Sequence, residues 1–165
     1  MQAQAEAAGW LSWLESAALA VWVRESSLLY PAIETAHIVG FVVLVGAAMM
    51  FDLRLLGFAR DLPVTAAARH LLRWSRLSLL LVVPTGFILF MTQATEMWAN
   101  PVFRVKLLLI ALAGLNALAF HLWSYRTVEA WNRQMATPVG AKIAAVFSLA
   151  LWTSAITCGR FLAYY

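Results

Sequence analysis

Residues 38–51 read Ile-Val-Gly-Phe-Val-Val-Leu-Val-Gly-Ala-Ala-Met-Met-Phe, with no charged side chain and no hydroxyl. With its flanks, the run makes an apolar segment from about Leu29 to Leu53, opened by Pro31 in its first turn. About 20 apolar residues at ~1.5 Å rise cross a hydrocarbon layer of about 30 Å. The stretch therefore predicts a membrane-spanning helix.

Three more segments have the same character. They run from about Leu77 to Thr95, with Pro84 and Gly86 inside; from about Lys106 to Tyr125, with Asn116 and His121; and from about Lys142 to Gly159, rich in Ala, Ser and Thr. Pro84 removes one ladder donor and predicts a kink. Small residues in the fourth segment suit close helix packing, and Gly40 and Gly46 suggest the same for the first. The chain is 63% hydrophobic and 12% charged, with a mean hydropathy of +0.77. A soluble domain of 165 residues could not hide that much apolar surface. The expected fold is all-α: an integral membrane antiparallel four-helix bundle over residues 29–165.

Residues 1–28 read differently. Between Gly9 and Arg24, Trp10, Trp13, Leu14, Ala17 and Val21 recur at helical spacing, opposite Ser12, Glu15 and Ser16. Indoles suit the headgroup level, so an amphipathic interfacial helix on the outer face is expected. The first ten residues carry Glu6 and no Lys or Arg, unlike the basic start of a signal peptide.

Charge sets the expected orientation. Arg54, Arg60, Arg69, Arg73 and Arg76 lie between spans one and two, and Arg126, Arg133 and Lys142 between three and four. Arg24, Arg104, Lys106 and Arg160 lie on the opposite side. Eight against four places both loops in the cytoplasm of a bacterial inner membrane, with both termini outside. The net charge of +4 forms no continuous patch, so a nucleic-acid partner is not expected; the lipid bilayer is. One cysteine, Cys158, excludes an internal disulfide, and no CxxCH occurs for covalent haem.

Ionisable groups within lipid are costly and point to function. His37 lies about two turns into the first span, with Glu34 one turn before it on the same face, and Lys106 opens the parallel third span. A polar cluster of Glu34, His37 and Lys106 would follow, serving haem ligation, a metal or proton handling, or simply neutralising itself. His121 sits seven residues after Gly114 on one face, a smooth surface where a flat macrocycle could lie; a hydrogen bond to a neighbouring helix is the plainer alternative. His70 precedes the second span, and Arg73 and Arg76 after it could meet haem propionates. His70 and His121 are thus a bis-histidine pair for haem b, unless His70 lies in the headgroup layer as a solvated loop residue. Met91, Met97 and Cys158 could join His37 in a Cu(I) site, although methionines commonly fill gaps. No hydrolase triad, phosphate loop or carboxylate pair is present.

The segment Arg69-His70-Leu71-Leu72-Arg73-Trp74-Ser75-Arg76-Leu77, then Thr85-Gly86, then Arg104-Val105-Lys106, resembles the membrane domain of copper-resistance protein D. That family has an Arg-Phe-Ser-Arg-like helix start, a Thr-Gly within it and a Lys opening the next helix; Trp74 stands where Phe is usual. Ala36-His37-Ile38 through Arg54-Leu55, with Lys106-Leu107 and His121 later, resembles HemJ-type protoporphyrinogen oxidases. The resemblance covers roughly residues 30–125 and implies a small four-helix membrane protein with roles for His37, Lys106 and His121. In that superfamily several members bind haem b, and the copper-resistance branch is linked to copper movement. Three functions follow as expectations: haem b and membrane electron transfer with a membrane or periplasmic redox partner, copper handling, or a non-catalytic subunit of a larger complex.

Overall fold

The computed structural model describes residues 2–132, 136–162 and 164, with side chains from Gly9 onward. Arg133, counted above in the second basic loop, lies outside the described residues, as do Met1 and the Glu6 side chain. The protein is all-α, with no strand among the described residues. Helices α1 (Gln2–Glu15) and α2 (Ala18–Glu25) precede α3 (Leu29–Leu56); α4 (Val64–Ala67) passes through a π-turn (Ala68–Leu72) into α5 (Arg73–Thr92). Then come α6 (Ala94–Ala99), α7 (Pro101–Leu122), a 3-10 helix (Ser124–Trp131) and α8 (Val139–Phe161).

Four stretches are long and apolar enough to cross a membrane: Leu29–Leu56, Val64–Thr92, Pro101–Leu122 and Val139–Phe161. Their outward faces explain why lipid must be the solvent. Leu80 is 75% exposed, and Val42, Leu115 and Phe147 are 63%, 61% and 59% exposed. Apolar surface on that scale cannot face water in a soluble monomer. This is a multi-pass membrane protein.

The spans start where prolines allow it: Pro101 is the first residue of α7, while Pro63 and Pro138 stand just before α4 and α8. α3 stops at Gly57, whose φ of +109° is a conformation only glycine adopts without strain. The nearly buried Arg54 pins the turn, its Nε donating to Leu62 O at 2.6 Å and its Nη2 to Arg60 O at 3.2 Å.

Two compact units are distinguished, each described by itself. One comprises Met1–Val42 and Ser78–Pro101. Within it the N-terminal segment is two helices rather than the expected one, because the chain turns extended at Ala17. Leu11, Ala20 and Val23 are the buried residues, while Trp13 and Trp22 point outward. Glu15 of the supposed polar face takes part in the docking. The Glu15 carboxylate accepts from Thr95 N at 2.7 Å, capping α6, and Arg24 donates to Thr92 O at 3.1 Å. Gly40 lets α3 approach α5: a Cβ there would stand 2.9 Å from Val82 Cγ2. Gly46 has nothing within 4 Å, so the contact expected of it is not made.

The second unit comprises Val43–Leu77 and Val102–Tyr165. Its core joins Phe51 and Leu55 of α3, Val64, Ala67 and Ala68 of α4 and the π-turn, Phe120, Val128 and Trp131, and Ala141 and Ala145 of α8. Phe51 and Phe120 meet edge to face at 5.7 Å. Asn132 closes the core, its Oδ1 accepting from Thr65 N and Thr65 Oγ1 at 3.0 and 3.1 Å. The second span begins at Val64, earlier than the uncharged run at Leu77, so His70 is helical rather than in a loop.

Ala145 is wholly buried in that core. Ala145→Leu should destabilise the detergent-solubilised protein by about 1–3 kcal/mol, read as a lower thermal midpoint, whereas Leu80→Ala on the lipid face should leave the midpoint near that of the parent.

Candidate functional site

α5 carries Pro84 inside it and yet stays helical to Thr92. Proline has no N–H, so the carbonyl of Leu80 loses its ladder donor and the turn around it loosens. Side chains bond the two carbonyls that follow it. Thr85 Oγ1 donates to Leu81 O at 2.6 Å, and His37 from α3 brings its Nδ1 within 3.1 Å of both Val82 O and Thr85 Oγ1. A carbonyl can only accept, so Nδ1 carries the proton and the lone pair of the neutral ring is on Nε2. The imidazole lies against Gly86, where a Cβ would come 2.8 Å from His37 Cε1.

Glu34 is exposed on α3. Lys106 belongs to the other unit, with its Nζ 3.6 Å from the Cβ position of Gly159. The contacts of His37 with Val82 O and Thr85 Oγ1 of α5 were signalled in the sequence only through Pro84 and Thr85.

In the second unit His70 lies within the π-turn Ala68–Leu72. A π-turn widens the helix by one residue and often marks a functional position. Here it opens a shallow groove of about 480 Å³ lined by Ala66, Arg69, His70, Arg73, Trp74 and Leu77. Arg73 is in the groove as expected, but Arg76 turns back, its Nε donating to Leu72 O at 3.1 Å. Arg69 takes the place expected of Arg76. Trp74, read only as a departure from a family pattern, contributes its indole.

His121 is exposed, with Nδ1 2.8 Å from Ala117 O and its ring 5.5 Å from those of Phe120 and Tyr125. Gly114 faces outward on the same helix with nothing within 4 Å of its Cβ position, so the two form an open, smooth face. None of the described contacts joins His121 to His70. Among the described residues no three His, Cys, Asp or Glu side chains gather as a metal site. Met91 is buried in the first unit and Cys158 half-buried in the second. One residue escaped the sequence reading altogether: Asp52, directly after the long apolar run, is buried.

Fold and site together define an all-α, multi-pass membrane protein with histidines seated on helix faces. The chain belongs to the family described as a family of unknown function, DUF6644, whose model matches residues 10–165. No curated protein and no solved structure matches it.

The fit of His37 to Gly86 is testable by a double-mutant cycle. Gly86→Ala should lower the thermal midpoint in the parent but have little effect once His37→Ala has removed the ring, a coupling of about 0.5–3 kcal/mol. Strictly additive losses would mean that the ring does not rest on Gly86.

Proposed function

We propose that this protein binds haem b and serves electron transfer within a bacterial inner membrane, with both termini on the outer side. The observation that carries the reading is the groove at the π-turn. It brings together an imidazole (His70), two guanidinium groups (Arg69 and Arg73), an indole (Trp74) and the apolar Leu77 on successive turns of one helix. Those are the chemistries that a flat, apolar, iron-bearing dicarboxylate requires of a protein.

Haem would supply the one-electron couple. The rest is the work of the chain. His70 offers a ring nitrogen as ligand, and it is exposed on the groove rather than packed away. Arg69 and Arg73 neutralise carboxylates through charge-assisted hydrogen bonds. Trp74 offers a ring face, and Leu77 continues the apolar floor toward the membrane. His121 supports a second ligand, because the Ala117 carbonyl holds its Nδ1 proton and leaves the lone pair on Nε2. Fixing one ring nitrogen in this way orients a ligating histidine. A partner that delivers or accepts the electron belongs to this reading. Copper handling has less support, since among the described residues no three His, Cys, Asp or Glu side chains gather.

The decisive experiment is the visible absorption of the gently extracted protein, oxidised and reduced. The proposal predicts a Soret band and a reduced α-band that His70→Ala abolishes, and that the Arg69→Gln, Arg73→Gln pair weakens. A colourless preparation that takes up no added haemin, or a spectrum indifferent to His70→Ala, would overturn it.

A further inference from the structure

Asp52 stands in the last two turns of α3, between Phe51 and the fully buried Leu55 of the apolar core. It is 6% exposed. The Ser148 hydroxyl of α8 stands beside its carboxyl, and one carboxyl oxygen, Oδ2, is buried with no hydrogen-bond partner. A bare carboxylate in such a place would lose its hydration and gain one hydroxyl in return, which is a heavy cost.

A carboxylate survives burial by pairing with a cation or by taking a proton. The nearby cation is already committed: Arg54, two residues on, gives its guanidinium to Leu62 O and Arg60 O. The titratable groups on the elements packed around this core include Lys142, next to Ala141 on α8, and His121, next to Phe120 on α7. Ser148 comes from α8, Ala67 and Ala68 come from α4 and the π-turn, and Phe120 comes from α7. Asn116 of α7 spends its amide on Ala144 O at 2.9 Å.

We propose that Asp52 and Ser148 form a proton-binding site inside the membrane-spanning part, independent of any haem. The carboxyl takes up one proton, with no other bond made or broken, and its O–H then donates to the Ser148 hydroxyl oxygen. Oδ2 becomes the carbonyl-like oxygen of a neutral acid, the form in which a missing partner costs least. An embedded acid of this kind can accept and return a proton without a charged side chain having to sit in lipid.

Infrared difference spectroscopy of the full chain in lipid vesicles at neutral pH tests the site. The parent minus Asp52→Asn spectrum should show the C=O stretch of a protonated carboxylic acid, shifting to lower frequency in D2O. Ser148→Ala should keep that band and move it to higher frequency, because the hydrogen bond is gone. The thermal midpoint of Asp52→Asn should equal or exceed that of the parent. Carboxylate bands in place of the C=O stretch, a band that Ser148→Ala does not move, or a large fall in the midpoint would each overturn the proposal.

Discussion

Hydrocarbon contains no water to complete a hydrogen bond, so a polar group without a partner in a span is costly. That constraint organises the helices here. Ser75 of α5 donates to Leu44 O of α3 at 3.1 Å, Asn116 of α7 to Ala144 O of α8, and His37 of α3 to Val82 O of α5. In each pair a side chain from one helix reaches a backbone carbonyl of another. Such bonds average about 0.6 kcal/mol in membrane proteins. Their larger effect is on register, since each fixes one depth of one helix against one depth of its neighbour.

Packing supplies the rest, without help from the hydrophobic effect that drives soluble cores. Lipid tails are as apolar as leucine, so helices associate through close van der Waals fit. Some of the small residues fall where that fit is tightest. Gly40 meets Val82 and Leu81, Gly86 meets the His37 ring, and Ala141 and Ala145 are wholly buried in α8. Large apolar side chains populate the outward faces instead, the reverse of a water-soluble bundle.

The spans were legible in the sequence because length and hydropathy report directly on the lipid requirement. The apolar run 38–51 and its three counterparts predicted helices whose ends differ by a few residues, except in the second span. There the helix continues back to Val64, since Arg69, Arg73 and Arg76 can sit at a membrane boundary without ending a helix. Partners were less legible. The tertiary reach of His37 to α5 joins groups 45 and 48 positions apart in the chain, which no local pattern reveals. Glu15 looked like a solvent-facing residue of an amphipathic helix, yet it caps α6. Asp52 was overlooked because it sits at the edge of an apolar run, where acids are usually solvated. The π-turn around His70 has no sequence signature at all.

Everything above presupposes four crossings, and sidedness of the connections tests that most directly. On a Cys158→Ser background, single cysteines at Ser27, Ala59, Ala99 and Ala136 would be labelled in intact cells with a membrane-impermeant maleimide. Positions 27 and 99 should react from one side of the membrane and positions 59 and 136 only after the other side is opened. Two consecutive positions in that series reacting from the same side would remove a crossing, and with it the account of why these polar groups are paired.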